Sequence, residues 1–250
     1  MSASVIGPPA TRAGLIPELA GVTMMDGVMR IGAMTRQREL EFSELVSRHC
    51  PLLTAALAYT GHRQTRNRGT IGGNLAHADP ASELPAITVA MQARMRLRSS
   101  TGEREVAAAK FFVGQLTTDL EANEMLVDIV FPFPRPRSGT CFMEIARRRG
   151  DFALAGVAAA MTLDEEQRCT EVRLALCGVG ETPVDVSHVA SPLIGRRCSS
   201  EAIDAVALEV GNAIAPSGNV HASADYQRHI AVVLTKRALN TAHTRVGYGA

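Results

Sequence analysis

The sequence predicts an α+β protein, and three observations carry that prediction. Residues Ala93 to Ser99 alternate strictly, with Ala93, Met95 and Leu97 on one face and Arg94, Arg96 and Arg98 on the other, as a strand with one wet side requires. In the second half, Cys141 to Arg147, Ala153 to Leu163 and Val172 to Val179 read as a meander of three strands. Two helical segments then follow, near Ser200 to Ile214 and Ser223 to Ala242, the second with Tyr226, Ile230, Val233, Leu234 and Leu239 at helical spacing. Strands first and helices after them describe an α+β layer, not a doubly wound parallel sheet.

The elements follow in chain order. Residues 1–15, rich in Pro, Gly, Ala and Ser, are expected to be a disordered tail. Val28 to Ile31 reads as a short strand after the Asp26-Gly27 turn. Ser43 to Tyr59 carries a helical apolar face (Leu45, Val46, Leu52, Leu53, Ala56, Leu57) that Pro51 breaks into two. Gly61 to Asn74 is polar and glycine-containing and is expected to lie outside the core. Asp79 and Pro80 have the chemistry of an N-cap and a first helical residue, so a helix is expected to start there. Met125 to Phe131 reads as a strand stopped by Pro132 and Pro134, and Phe131 to Arg137 as a linker. The expected division is 16–134 for a first domain and 138–245 for a second.

Composition narrows the function. Lys+Arg 26 against Asp+Glu 25 leaves a net charge of +1, which gives the chain no overall pull toward nucleic acid or anionic lipid. The arginine face of 93–99 therefore reads as the solvated side of a sheet. Cys50, Cys141, Cys169, Cys177 and Cys198 show no C-x-x-C spacing, which speaks against a zinc or iron–sulfur site built by this chain alone. The longest strongly apolar stretch, Phe152 to Leu163, spans about 12 residues where a bilayer needs about 20. A cytoplasmic protein with reduced thiols, no membrane insertion and no nucleic-acid partner is expected.

Chemistry concentrates at Thr70-Ile71-Gly72-Gly73-Asn74 and at His77-Ala78-Asp79-Pro80-Ala81-Ser82-Glu83. Paired glycines beside Thr and Asn make either a nest of outward N–H groups that binds phosphate oxygens or a tight turn. Neither a Walker loop nor a G-x-G-x-x-G fingerprint is present. His77 and Asp79 read as a hydrogen-bonding pair, since a metal site needs three or four converging ligands. Glu83 suits either the hydroxyls of a ligand or the dipole of a helix start. The basic cluster His62, Arg63, Arg66 and Arg68 suits a phosphate, a partner subunit or a solvated loop. Arg147-Arg148-Arg149-Gly150-Asp151 reads as a surface turn with Asp151 as counter-charge. No nucleophile elbow or activated thiol is recognisable and no catalytic side chain is assigned, so a bound cofactor has to carry any reaction.

These motifs resemble the FAD-binding medium subunit of the molybdenum hydroxylases, the family of xanthine dehydrogenase, aerobic carbon monoxide dehydrogenase and bacterial aldehyde oxidoreductases. The resemblance runs from about Ile16 to about Ala242. Besides the glycine segment and its sequel to Ala86, it includes Ile16-Pro17-Glu18-Leu19-Ala20-Gly21, Ile31-Gly32-Ala33-Met34-Thr35, Phe111-Phe112-Val113-Gly114, Glu124-Met125-Leu126-Val127, Arg149-Gly150-Asp151-Phe152-Ala153 and Ala222-Ser223-Ala224-Asp225-Tyr226-Gln227-Arg228, in that order. It implies a truncated PCMH-type FAD-binding domain followed by a carbon monoxide dehydrogenase flavoprotein C-terminal-like α+β domain with a three-stranded antiparallel sheet and helices. It implies FAD as cofactor, an iron–sulfur small subunit and a molybdopterin large subunit as partners, and electron transfer to an external acceptor. By the same resemblance Thr70, Ile71, Gly72, Gly73 and Asn74 grip the FAD diphosphate. Glu83 bonds the hydroxylated part of the cofactor, Leu126 packs on the adenine side, and Asp79 with Pro80 shapes the helix start beneath. The 250 residues hold no first glycine loop of the Ala-Gly-Gly-x-Ser type. The expectation is therefore of a chain short of its N-terminal lobe, and the alternative is a non-catalytic remnant that binds FAD poorly and at most docks partner subunits.

Overall fold

Alternation and turn chemistry build the first sheet of the computed structural model, which describes residues 16–246. The tail expected over 1–15 lies outside the described residues. Val22–Met25 (β1) and Val28–Gly32 (β2) form a hairpin around Asp26-Gly27. Then come helices Gln37–Glu41 (α1), Glu44–His49 (α2), Pro51–Leu57 (α3), Arg63–Arg68 (α4), Ile71–His77 (α5) and Glu83–Ala90 (α6). Strands Arg94–Arg98 (β3) and Glu103–Ala107 (β4) follow, then Ala108–Phe111 (α7), the small hairpin Phe112–Gly114 (β5) and Thr117–Thr118 (β6), and Met125–Pro132 (β7). The sheet is antiparallel in the order β1-β2-β7-β3-β4. Its register sets Ile31, Ile129 and Met95 side by side on the core face. On the wet face every β3 arginine meets a carboxylate. Arg96 reaches Asp128 at 3.0 Å and Glu103 at 2.7 Å, Arg94 reaches Glu105 at 3.0 Å, and Arg98 pairs with Glu103. Such a face is charge-balanced and offers no basic stripe.

Two expectations fail in the helical segment. The polar run 61–74, expected outside the core, forms α4 and α5, and Ile71, Gly72 and Leu75 are buried. Ile71 and Leu75 stand one helical turn apart on the core side, and Thr70 caps the helix by accepting from Gly73 N at 3.1 Å. Burying two aliphatic side chains on one face outweighs the helix cost of two glycines, about 1 kcal/mol each. The helix expected to start at Asp79-Pro80 begins instead at Glu83, with Ser82 in the cap position. Asp79 makes a local turn, accepting from Ala81 N at 2.9 Å.

The second half is a four-stranded antiparallel sheet made of Ser138–Ala146 (β8), Ala153–Leu163 (β9), Cys169–Cys177 (β10) and Val184–Asp185 (β11) in the order β11-β10-β9-β8. The sequence predicts three strands, and the fourth, two residues long, is too short to leave a pattern. Helices Ser200–Ala213 (α8) and Ala224–Arg245 (α9) cover the face of Cys141, Val157, Ala159, Leu174 and Leu176. The opposite face, with Phe142, Ala158, Ala175 and Cys177, joins the core of the first half. α6 lies between the two sheets, and all eight of its residues are buried. Its sequence, apolar nearly all round, is what a helix covered on every side requires. Tyr59 packs edge-on against Phe142, ring centroids 5.5 Å apart, across the same seam.

Candidate functional site

The segment joining α3 to α5 is held by one buried cation. Arg66 donates to Glu41 at 2.8 and 3.1 Å and to the carbonyls of Thr60 and Gly61 at 3.1 and 2.8 Å. Burial raises the Glu41 carboxyl, but hydrogen bonds and charge from Arg66 and Arg38 outweigh it and hold the group below its usual range. Arg66 is thus structural, and the basic cluster read from the sequence divides. Arg63 and Arg68 stay exposed, and His62 lies on a cavity wall.

The amides of 71–74 do not form an outward nest. Ile71 N donates to Thr35 O at 3.0 Å, Gly72 N to Ala33 O at 2.8 Å, Gly73 N to the Thr70 hydroxyl and Asn74 N to Thr70 O at 3.1 Å. The segment after β2 engages the first two donors, and the cap and first turn of the helix engage the other two. The glycines serve close approach instead, since a Cβ on Gly72 would lie 2.7 Å from Ala33 O. Gly73 is exposed and bares its Cα to a cavity of about 600 Å3. Thr70, Gly72, Asn74 and Leu126 also line that cavity, with Leu19, Met34 and Met125 as apolar wall and Arg36 and Arg68 at its edge. Neither arginine forms an ion pair among the described residues. The carboxylate on this wall, Glu124, is clamped by Arg104 at 2.7 Å, whose hydrogen bonds hold its pKa at about 2. The cavity wall is therefore cationic in sum.

A second cavity, about 530 Å3, opens between the two halves. Asn74, His77, Asp79, Ser82 and Glu83 line one side; Arg147, Asp151, Phe152, Leu154 and His221 line the other. Gly150 closes it at a positive φ of +91, so tight against the first half that a Cβ there would lie 2.5 Å from His62 Nδ1. Ser82 donates to Asn74 Oδ1 at 3.0 Å, tying the start of α6 to α5 in place of capping its own helix. Glu83, 3% exposed, is pushed up to about 6 by burial. Glu144 of β8 is pushed up to about 8, by burial first and then by the charge of Glu83, and its Oε2 has no hydrogen-bond partner among the described residues.

The two cavities share four residues, Gln37, Thr65, Asn74 and His77. Of the positions singled out in the sequence, Thr70, Gly72, Gly73, Asn74 and Leu126 stand on the first cavity, and Asn74, Asp79 and Glu83 on the second. Ile71 stands on neither; it is fully buried in the core beneath. Sequence reasoning missed Gln37 and Arg36, whose only trace is a polar pair four and five residues after the strand that ends at Gly32. It placed Phe152, 61% exposed on the second cavity, only as the opening of the second domain.

Family comparison assigns both halves. Residues 12–134 match the FAD binding domain in molybdopterin dehydrogenase, and residues 140–242 match the CO dehydrogenase flavoprotein C-terminal domain. The chain belongs to the FAD-binding subunits of this family. Within it, the chain is 36% identical over 224 residues to the 6-hydroxypseudooxynicotine dehydrogenase complex subunit alpha of Paenarthrobacter nicotinovorans, covering 90% of this chain and 76% of the relative. It is 36% identical over 230 residues to the carbon monoxide dehydrogenase medium chain of Hydrogenophaga pseudoflava, covering 92% and 80%. A solved structure of carbon monoxide dehydrogenase from that organism superposes with a TM-score of 0.89 at 35% identity, over 93% of this chain and 80% of the other. Quinoline 2-oxidoreductase from Pseudomonas putida 86 gives 0.86 at 33% identity, over 92% and 79%. The chain is thus an FAD-binding medium subunit of the molybdenum hydroxylase type, in a family of oxidoreductases. Among the described residues no helix is long and apolar enough to cross a membrane.

Proposed function

We propose that this chain holds FAD across the two cavities and passes electrons from the iron–sulfur clusters of a partner small subunit, fed by a molybdopterin large subunit, to an external acceptor. The observation that carries the reading is the pair of cavities meeting at α5, about 600 and 530 Å3 and unlike in charge. The residues present fit the group. A bare Cα at Gly73 admits close approach, and Arg36 and Arg68, which form no ion pair among the described residues, edge the same cavity where a diphosphate needs cations.

In this reading Thr70, Gly72, Gly73 and Asn74 border the diphosphate, Ile71 anchors their helix from below, and Arg36 and Arg68 supply the charge that the engaged amides do not. Leu126 takes the adenine side. Glu83 receives hydroxyls from the far part of the cofactor, and Asp79 holds the turn between α5 and α6. Residues 16–134 form the binding unit, and residues 138–245 close the second cavity and present a surface to partner subunits. Bound FAD supplies a centre that takes electrons singly and gives them up in pairs. The protein binds, orients and screens it. Five unpaired cysteines, four of them buried, suit the reducing cytoplasm, where we place the chain.

The test is a flavin absorbance spectrum of the purified chain, followed by titration with FAD alone and with partner subunits present. Yellow protein that releases FAD on denaturation supports the reading; a colourless chain that takes up no FAD in either setting refutes it. A second reading, a subunit that binds FAD poorly and mainly docks its partners, draws on the amides of 71–74 being engaged within the protein. FAD uptake only in the presence of partners would favour it.

A further inference from the structure

Two thiols meet where β10 begins. Cys169 is the first residue of that strand, and Cys198 lies in the segment that leads into α8. Backbone hydrogen bonds lock the two stretches together, Cys169 N donating to Arg196 O at 2.8 Å and Gly195 N to Cys169 O at 2.7 Å. The side chains of Cys169 and Cys198 are in hydrogen-bond contact, and the Cys198 thiol reaches Met161 Sδ at 3.9 Å. The pair is unequal in access, since Cys169 is fully buried and Cys198 is partly exposed. It is unequal in acidity as well. The hydrogen bond between the two holds Cys198 below the ordinary thiol range and, together with burial, holds Cys169 above it. The other three cysteines are buried and inert. Burial pushes Cys50 up to about 12, Cys177 well above its ordinary range, and Cys141 up as well. An accessible thiol on the acidic side, with a second thiol against it, is the arrangement in which thiol oxidation ends in a disulfide.

We propose that Cys169 and Cys198 form a reversible modification site that reacts with hydrogen peroxide, Cys198 attacking the oxidant and Cys169 closing an intramolecular disulfide. In the first step the Cys198 thiolate attacks one peroxide oxygen. An S–O bond forms, the O–O bond breaks, and the hydroxide that leaves takes up a proton as water, with Cys198 now a sulfenic acid. In the second step the Cys169 sulfur attacks the Cys198 sulfur. The S–S bond forms, the S–O bond breaks, and the leaving oxygen departs as water with the Cys169 proton. Two thiols are oxidised by one electron pair, and one peroxide is reduced to two waters. An external dithiol reverses the change, so the site is compatible with thiols that rest in the reduced state. It stands apart from both cavities. Cys177 ends the same strand on the side where Gly178 N donates to Pro80 O of the first half at 2.8 Å, and Cys169 lies at the other end of the strand.

The test exposes the folded full-length chain to hydrogen peroxide, quenches it, alkylates the remaining thiols in denaturant and maps the tryptic peptides by mass. Cleavage after arginine separates the neighbouring cysteines, leaving Cys169 on 169–173, Cys177 on 174–195 and Cys198 on 198–228. The expected product is 169–173 joined to 198–228, lighter than the two peptides by two hydrogens, running as a single chain on a non-reducing gel and released by dithiothreitol. Cys198 should lose its thiol about tenfold faster or more than Cys50, Cys141 or Cys177. Cys198→Ser should abolish the joined peptide. Cys169→Ala should leave Cys198 as a sulfenic acid that dimedone captures. Three results on the wild-type chain overturn the inference without reference to either variant: Cys198 persisting as a thiol as long as the buried cysteines do, Cys198 passing to sulfinic acid with no joined peptide, or a disulfide that links two chains or a different pair. FAD uptake is read separately, so failure of the flavin reading leaves this result standing.

Discussion

The two cavities on either side of Gln37 are built from neighbouring residues yet differ in charge. The first is edged by two arginines that form no ion pair among the described residues, and its carboxylate, Glu124, is neutralised by Arg104. The second is backed by Glu83 and, behind it, Glu144, both pushed up by burial. One ligand can satisfy both only if it carries negative charge at one part and neutral hydrogen-bonding groups at another. The difference teaches that recognition here is divided. Cations hold one end, and the other end is read by acceptors whose own ionisation is suppressed.

The largest effect should come from breaking the wall of the first cavity alone. Gly72→Val places side-chain atoms against Ala33, whose carbonyl oxygen is already 2.7 Å from a Cβ position. A loss of about 3–4 kcal/mol in urea unfolding is expected. Gly73→Ala, which meets only the Thr70 hydroxyl at 2.9 Å, should stay within about 1 kcal/mol of wild type while weakening FAD binding, because its methyl enters the cavity. If the two substitutions destabilise equally, the contrast drawn between these glycines is wrong.

The second cavity should answer to pH. Glu144 and Glu83 have folded pKa values of about 8 and about 6, above their ordinary 4.5. A carboxyl raised on folding favours the protonated native state. Its contribution is complete below pH 4.5 and is lost as pH rises through the folded values. Glu144→Gln should therefore match wild type near pH 4 and exceed it by about 2–3 kcal/mol near pH 9, roughly half of what 1.4 kcal/mol per pKa unit would give for a rigid, dry site. Denaturation curves at several pH values that run parallel for the two proteins would refute a suppressed ionisation.

Salt should address the first cavity and not the second. Arg36→Ala with Arg68→Ala should weaken FAD by about 2 kcal/mol, the scale of a charged hydrogen bond, and flatten the ionic-strength dependence of binding. Riboflavin, which lacks phosphate, should bind the variant and wild type alike in the same fluorescence titration. The smallest effect is expected at the seam, where Gly150→Ala presses on His62 Nδ1 and should lower the melting temperature by a few degrees.

Legibility followed burial. The strand β3 is plain in the sequence because one face is wet, so Met95 and Leu97 alternate with arginines. The break between α2 and α3 is equally plain, because Pro51 fixes it locally. The glycine helix α5 was hidden, since its two core contacts, Ile71 and Leu75, are embedded among residues that read as loop. The start of α6 was misplaced by three residues, because Asp79 and Pro80 carry cap chemistry but use it in a turn. The motif residues do gather at the cavities, apart from Ile71. The way they act was not legible, since which carbonyl an amide meets depends on Thr35 and Ala33, far away along the chain.

By itself the sequence determined the α+β order of elements and the family, because periodicity, turn chemistry and ordered motifs are local properties of the chain. Tertiary structure alone decided that Gly72 packs against Ala33 while Gly73 faces a cavity, that the amides of 71–74 are engaged within the protein, that Arg66 is buried while Arg68 faces the cavity, and that Gln37 stands where the two hollows meet. Those outcomes depend on which distant groups come within a few ångströms of one another, and that information exists only once the chain has closed on itself.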